Sequence, residues 1–336
     1  MSIRSTIQLP IGLALTLSVA LIGCDVGSID SGGGGGTPND PGNIPSGESI
    51  DISGDIAESA TWSGAVRLVG ETVIQPGVQI EVAPGTSITA AEAIFLRVGG
   101  TLTINGTAES PVSILSAGTA AWGGISVQEG GTATINHAVG QGVSVLMDCK
   151  AGALGCNLNS VDFSFGGATI AMRTAGPSTI DRSILEDMGN GSVTINAGAD
   201  LTITDSRIFH STHDIVIMQG GSLTIDHSEL GGTQADSYEH CDLHIGRADA
   251  LTITNSNIVS SVVGMMIANA DGAVINRNNF MENGAGADID PIGPNSNVNL
   301  QNNYWDQGAP TYLDAAFDVS SPAATPFAEA GPRYFE

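Results

Sequence analysis

Apolar and polar positions alternate in short bursts along most of the chain, and one burst is written three times. Leu201-Thr-Ile-Thr-Asp-Ser-Arg-Ile208, Leu223-Thr-Ile-Asp-His-Ser-Glu-Leu230 and Leu251-Thr-Ile-Thr-Asn-Ser-Asn-Ile258 share one layout. Alternation with a period of two describes a strand with one buried face. Asp205-Ser206, His227-Ser228 and Asn255-Ser256 follow, side chains that bond to their own backbone in turns. A last apolar residue then points inward again, so each burst reads as strand, turn, strand.

Taking the isoleucine of the phrase as an anchor extends the register in both directions, through Val82, Ile104, Ile135, Leu158, Ile180, Ile203, Ile225, Ile253, Ile275 and Leu300. Neighbouring anchors fall 22 to 31 residues apart. Self-similarity on that scale marks a stacked repeat. The predicted fold is all-β: a right-handed, single-stranded parallel β-helix of about ten rungs, since parallel crossovers are right-handed in roughly 98% of cases. Residues sharing a place in the phrase then form columns. Five places after the anchor the column reads Phe163, Leu185, Ile208, Leu230, Ile258, Phe280, Trp305. Three places after it the column is Ser183, Ser206, Ser228, Ser256, Asn278, Asn303, small polar groups suited to pairing the backbone of a bend.

The ends read differently. Residues 1–24 have Arg4 near the start and an apolar run from Leu9 to Ile22, the layout of a targeting segment. Leu21-Ile-Gly-Cys24 at its end resembles the lipobox of exported bacterial lipoproteins, which implies cleavage before Cys24 and lipidation of that residue. Residues 25–48 are a Gly/Pro/Asp-rich linker with a reach on the order of 25–30 Å. The β-helix is expected over 49–310. Residues 311–336 break the period and are expected to cover the last rung, whose open edge would otherwise pair with other chains.

Composition narrows the partners. A net charge of −25 with Lys150 as the only lysine argues against nucleic acid and against electrostatic attachment to anionic lipid. Only 4% of the residues are aromatic while 45 are glycine, so the core is aliphatic and layered. Of four cysteines, Cys149 and Cys156 bracket a short loop that an exported protein can staple with a disulfide. Cys156 also falls on an inward position where a free thiol is equally at home.

From Ile50 to Ser116 the chain carries Ala60-Thr-Trp-Ser-Gly64, Gln75-Pro-Gly77, Ile80-Glu-Val-Ala-Pro-Gly85 and Gly100-Thr-Leu-Thr-Ile-Asn-Gly-Thr107, with Trp122-Gly-Gly-Ile125 further on and Asn302-Asn-Tyr-Trp-Asp306 near the end. In that order these resemble exported proteins of the pectin-lyase-like superfamily, in its non-catalytic surface branch. The resemblance implies a β-helix at the cell envelope, and its relatives include polysaccharide lyases, epimerases and hydrolases. The Gly-His-Gly and paired Asp motifs of such hydrolases do not occur in this sequence.

One cluster invites chemistry. Counting back from Leu223 and Leu251 stacks Asp214 on Asp242, His213 on Cys241 and Val216 on His244. Two carboxylates on adjacent strands repel unless something positive lies between them. A cation is one solution and Arg247 another; ordinary surface residues are a third reading. Donors of the type His213, Asp214, Cys241, Asp242 and His244 suit zinc or copper, with the inserted loop from Thr233 to Glu239 beside them. Arg182, Arg207 and Arg277 either bind an acidic sugar or neutralise their neighbours. Asp288 and Asp290 offer oxygens to Ca²⁺, though too few to hold it alone.

The expected function is that of a lipid-anchored envelope protein, monomeric and non-catalytic, contacting glycans or other proteins. A polysaccharide-active enzyme is the first alternative and a metal-handling protein the second. The outer membrane or the cell surface is the expected location.

Overall fold

The computed structural model describes residues 49–163, 168–189, 191–233, 240–284, 288–310 and 315–334. The leader, Cys24, the linker and most of the 233–239 insertion lie outside the described residues. Within them the secondary structure is strand throughout, and no helix occurs. Parallel strands stack into a β-solenoid of about ten coils with three faces. The anchor face has twelve strands, from Ala60–Trp62 to Phe317–Asp318. The second face follows the corner after each anchor strand and ends at Tyr304–Trp305. The third face ends at Ile289–Pro291. Near the start, Ala65–Ile74 serves both the second and the third face, and Ser49–Ile56 pairs along it.

The anchors stand in single file. Ile203 pairs with Ile225 and Ile225 with Ile253. The file continues upward through Ile180, Leu158, Ile135, Ile104 and Val82 to Trp62, which lengthens the column by one coil. These side chains are buried, as are those of the column from Phe163 to Trp305, where Phe280 and Trp305 stack with ring centroids 4.4 Å apart. Like lies on like because every coil repeats its neighbour about 4.8 Å away, so apolar area is removed from water without any tight loop closure.

The corner after the anchor is built from two adjacent columns. Two places on, His137, Ser160, Arg182, Asp205, His227, Asn255, Arg277 and Asn302 all adopt φ between 45° and 60°. Left-handed backbone costs a non-glycine residue roughly 1–2 kcal/mol. That cost is offset by bonds between coils: the N–H of Arg182 donates to Thr204 O at 3.1 Å and that of Asp205 to Asp226 O at 3.2 Å. One place further, each backbone N–H donates to the side chain in the coil below. Ser183 N reaches Ser206 Oγ at 3.1 Å, Ser206 N reaches Ser228 Oγ at 3.2 Å, and Ser228 N reaches Ser256 Oγ at 3.1 Å. Asparagine then takes over, with Ser256 N to Asn278 Oδ1 at 3.0 Å and Asn278 N to Asn303 Oδ1 at 2.9 Å.

Cys149 and Cys156 are joined across the corner between Val143–Cys149 and Gly155–Asn159, with Cα atoms 6.2 Å apart.

The C-terminal segment covers the last rung, as expected, with only its first described residues, and the rest goes elsewhere. Phe317–Asp318 adds one strand to the anchor face by pairing with Val298–Asn299. The chain then turns back and runs along the first corner as a strap. Ala323 N donates to Asn303 O, Phe327 exchanges two hydrogen bonds with the Asn279 side chain, Gly331 N donates to Asn255 O, and Arg333 donates from Nε and Nη2 to the two carboxylate oxygens of Asp205. Beyond Asp318, extended backbone with unused N–H and C=O groups finds partners on the polar corner.

Hydrogen bonding from Arg333 holds the Asp205 carboxyl below its ordinary 3.8. A carboxylate depressed by folding contributes stability that is complete above the unfolded value and drains away as pH falls through the lower, folded one. Asp205→Asn, or acid below about pH 3.8, is therefore expected to loosen the strap by roughly 0.5–1 kcal/mol, discounted because Arg333 is largely exposed. Amide exchange at Gly331 and Arg333 checks this; protection unchanged in Asp205→Asn at neutral pH would refute the latch.

Candidate functional site

A second corner, between the second and third faces, repeats the device of the first. Asp187, His210, Gly232, Ser260 and Glu282 have φ between 55° and 68°. Thr233 N donates to Ser261 Oγ at 3.0 Å and Ser261 N to Asn283 Oδ1 at 3.3 Å. These bonds fix where the segments holding Asp214 and Asp242 enter the third face.

The stacking at this entry differs from the sequence expectation by one residue. Val216 pairs with Leu243 and Ile217 with His244, while Gln219 pairs with Arg247, so Gly246 is an extra residue in a β-bulge. One inserted residue exchanges the two faces of everything before it. His213 consequently stacks on His240, with ring centroids 4.6 Å apart, instead of on Cys241. Asp214 meets Cys241, whose backbone N–H donates to Asp214 Oδ1 at 2.9 Å. A glycine inside an alternating strand was the available signal for the bulge.

Asp242 therefore does not face Asp214 across a shared opening. It is wholly buried, with Thr233 Oγ1 donating to Oδ1 at 3.0 Å and Ser261 Oγ donating to the same oxygen. Burial pushes its pKa well above the ordinary carboxylate range. Arg247 pairs with Asp249 at 2.9 Å, which removes it as the positive group beside Asp214.

Three donors of the expected set do converge. The carboxylate oxygen of Asp214, Sγ of Cys241 and a ring nitrogen of His244 all lie within 4.8 Å of one another. Cys241 Sγ is 3.6 Å and His244 Nδ1 3.8 Å from Asp214 Oδ1. His240, absent from the sequence-derived set, brings its Nδ1 to 3.7 Å from the same oxygen. His213 is turned away, its Nδ1 against Thr212 O at 2.9 Å. Burial alone would raise Asp214, but His244, the Cys241 N–H and His240 outweigh it and the net direction is downward. The same carboxylate raises His244, while burial and then Asp214 push the Cys241 thiol far up.

The other candidates are accounted for by pairing. Arg182 bonds Asp181 and Asn159, Arg207 lies 3.3 Å from both Glu186 and Glu229, and Arg277 reaches Asn255 and Glu329. Asp288 is turned inward, where Asn283 Nδ2 donates to it at 3.0 Å, while Asp290 is exposed.

The fold defines the class: an all-β parallel solenoid. Comparison with known proteins adds no relative, since no family model, no curated protein and no solved structure matches the chain.

Proposed function

We propose that this chain is a lipid-anchored β-solenoid of the bacterial cell envelope, working without catalysis as a rigid element whose long faces contact glycans or envelope proteins. The observation that carries the non-catalytic part is where the shifted carboxylates sit. General acid–base work on a polysaccharide needs an accessible carboxyl with a raised pKa opposite an ionised one. Asp242 and Asp288 are the described carboxyls pushed up, by burial, and both face into the stack. Asp205, Asp226, Asp249, Asp271 and Asp318 are all shifted downward by hydrogen bonds that outweigh desolvation. Such groups stay ionised and donate no proton near neutrality. This weighs against the hydrolase reading of this fold type, which requires such an acid.

The anchored part rests on the sequence of residues 1–24. Two or more acyl chains give durable attachment where one does not. In fractionated cells the full chain is expected in the membrane fraction, and Cys24→Ser is expected to move most of it to the soluble exported fraction. Wild-type protein found soluble in the cytoplasm would overturn the anchoring, and turnover of a uronate-containing polymer by the purified full chain would overturn the absence of catalysis.

A further inference from the structure

We infer that Asp214, Cys241 and His244 form a three-donor binding site for one borderline-soft divalent ion of the zinc class, with the fourth position open and His240 at its rim. This goes beyond the structural role and does not depend on it.

Geometry comes first. An ion about 2.0–2.3 Å from each of four nitrogen, sulfur or oxygen donors in a tetrahedron keeps those donors about 3.3–3.7 Å apart. The separations of 3.6 and 3.8 Å from Asp214 Oδ1 to Cys241 Sγ and His244 Nδ1 fall at or just above that window, and the three donors lie within 4.8 Å of one another, so a small inward shift of the side chains closes the set around an ion. The 3.7 and 3.8 Å separations from His240 and His244 to Asp214 Oδ1 are too long for hydrogen bonds between nitrogen and oxygen, while Cys241 Sγ donates to the same oxygen at 3.6 Å. The Nδ1 atoms of His240 and His244 are screened from solvent and have no hydrogen-bond partner among the described residues. A buried polar atom left unpaired costs free energy that a bound ion recovers.

The surroundings agree. Cys241 lies outside the main core, in a separate apolar cluster with Val263 and Met266, against which Val262 packs. An apolar shell on one side excludes water and strengthens the hold on an ion. One carboxylate and one thiolate cancel a charge of two, so the filled site is neutral and tolerates that shell. Ca²⁺ takes six to eight oxygen ligands and Mg²⁺ six, whereas the protein here supplies a single carboxylate with sulfur and nitrogen. Asp214 belongs to one coil and Cys241 and His244 to the next, so the ion also clips the longest late coil, which carries the 233–239 insertion, to its neighbour.

The test uses the full chain, stripped with a chelator and titrated with Co²⁺, then Zn²⁺, with Ca²⁺ as the control. One equivalent of Co²⁺ is expected to give the strong visible bands of a tetrahedral site together with a thiolate-to-cobalt charge-transfer band, and Zn²⁺ is expected to displace it. Cys241→Ser should abolish the charge-transfer band, and His244→Gln should weaken Zn²⁺ binding by roughly 100-fold or more. If Cys241→Ser fails to fold, His244→Gln at a part-exposed position decides. Folded wild-type chain that takes up neither Co²⁺ nor Zn²⁺, or that binds them equally well after both substitutions, would show Asp214, Cys241 and His244 to be a hydrogen-bonded cluster and overturn the site.

Discussion

Ile225→Ala is expected to cost the solenoid about 3.5–5 kcal/mol, and Ile225→Asp to prevent it from folding. Ile225 is fully buried between Ile203 above and Ile253 below. Truncation there removes three buried carbons and leaves a cavity. In a globular core neighbours lean in to close part of such a gap. Here they are held by the spacing of the coils, set by parallel hydrogen bonds on both sides, so collapse is restricted and the cost belongs in the upper half of the usual range for Ile→Ala. Thr224 is the internal control. It is next in sequence, on the same strand, and its side chain is exposed. Thr224→Ala should stay within about 0.5 kcal/mol. Denaturant midpoints for the two variants decide the matter, and equal losses would mean that the anchor file is not what holds the coils together.

That file was legible because its signal is repeated. Each coil restates the alternation around its anchor, so an error at one coil is corrected by the next, and the pairings from Val82 to Ile275 follow without a slip. The Ser206–Ser228–Ser256 column was readable for the same reason. The third face carries no such phrase. Its alignment had to be counted across a corner and an insertion, and one uncounted bulge residue, Gly246, was enough to put Cys241 in place of Asp242 against Asp214. The chemistry-bearing residue types were still found, because His, Cys and Asp are scarce enough on this face to stand out. What periodicity cannot supply is which side of the sheet each one occupies once the period is broken.

The strap was hidden for a related reason. Residues after 318 have no period, and their partners are scattered over coils far apart in sequence: Asn303, Asn279, Asn255 and Asp205. What identifies the groove is the polar first corner itself. The tail satisfies its own backbone there on the carbonyls of Asn303 and Asn255, the side-chain amide of Asn279 and the carboxylate of Asp205.

Asn278→Leu is expected to lose about 3 kcal/mol, although it replaces one side chain by another of similar volume and greater hydrophobicity. Asn278 is fully buried, its Oδ1 accepts from Ser256 N at 3.0 Å, and its Nδ2 donates to Ile253 O at 2.9 Å and to Asn303 Oδ1 at 3.2 Å. Leucine leaves the Ser256 N–H with no acceptor inside a corner that water does not reach, and an orphaned buried group costs about 1–3 kcal/mol. The lost bond to the Ile253 carbonyl adds to that, while the extra apolar surface returns only part. Asn278→Ser separates this account from one of shape. Serine is smaller and leaves a void, yet it restores an acceptor at the position where Ser206, Ser228 and Ser256 already serve the coil above. The polar variant is therefore expected to cost only about 1–1.5 kcal/mol despite its poorer fit. Should thermal or denaturant melts rank serine as the more damaging of the two, packing rather than the continuous file of N–H acceptors would be what carries the backbone around the bend.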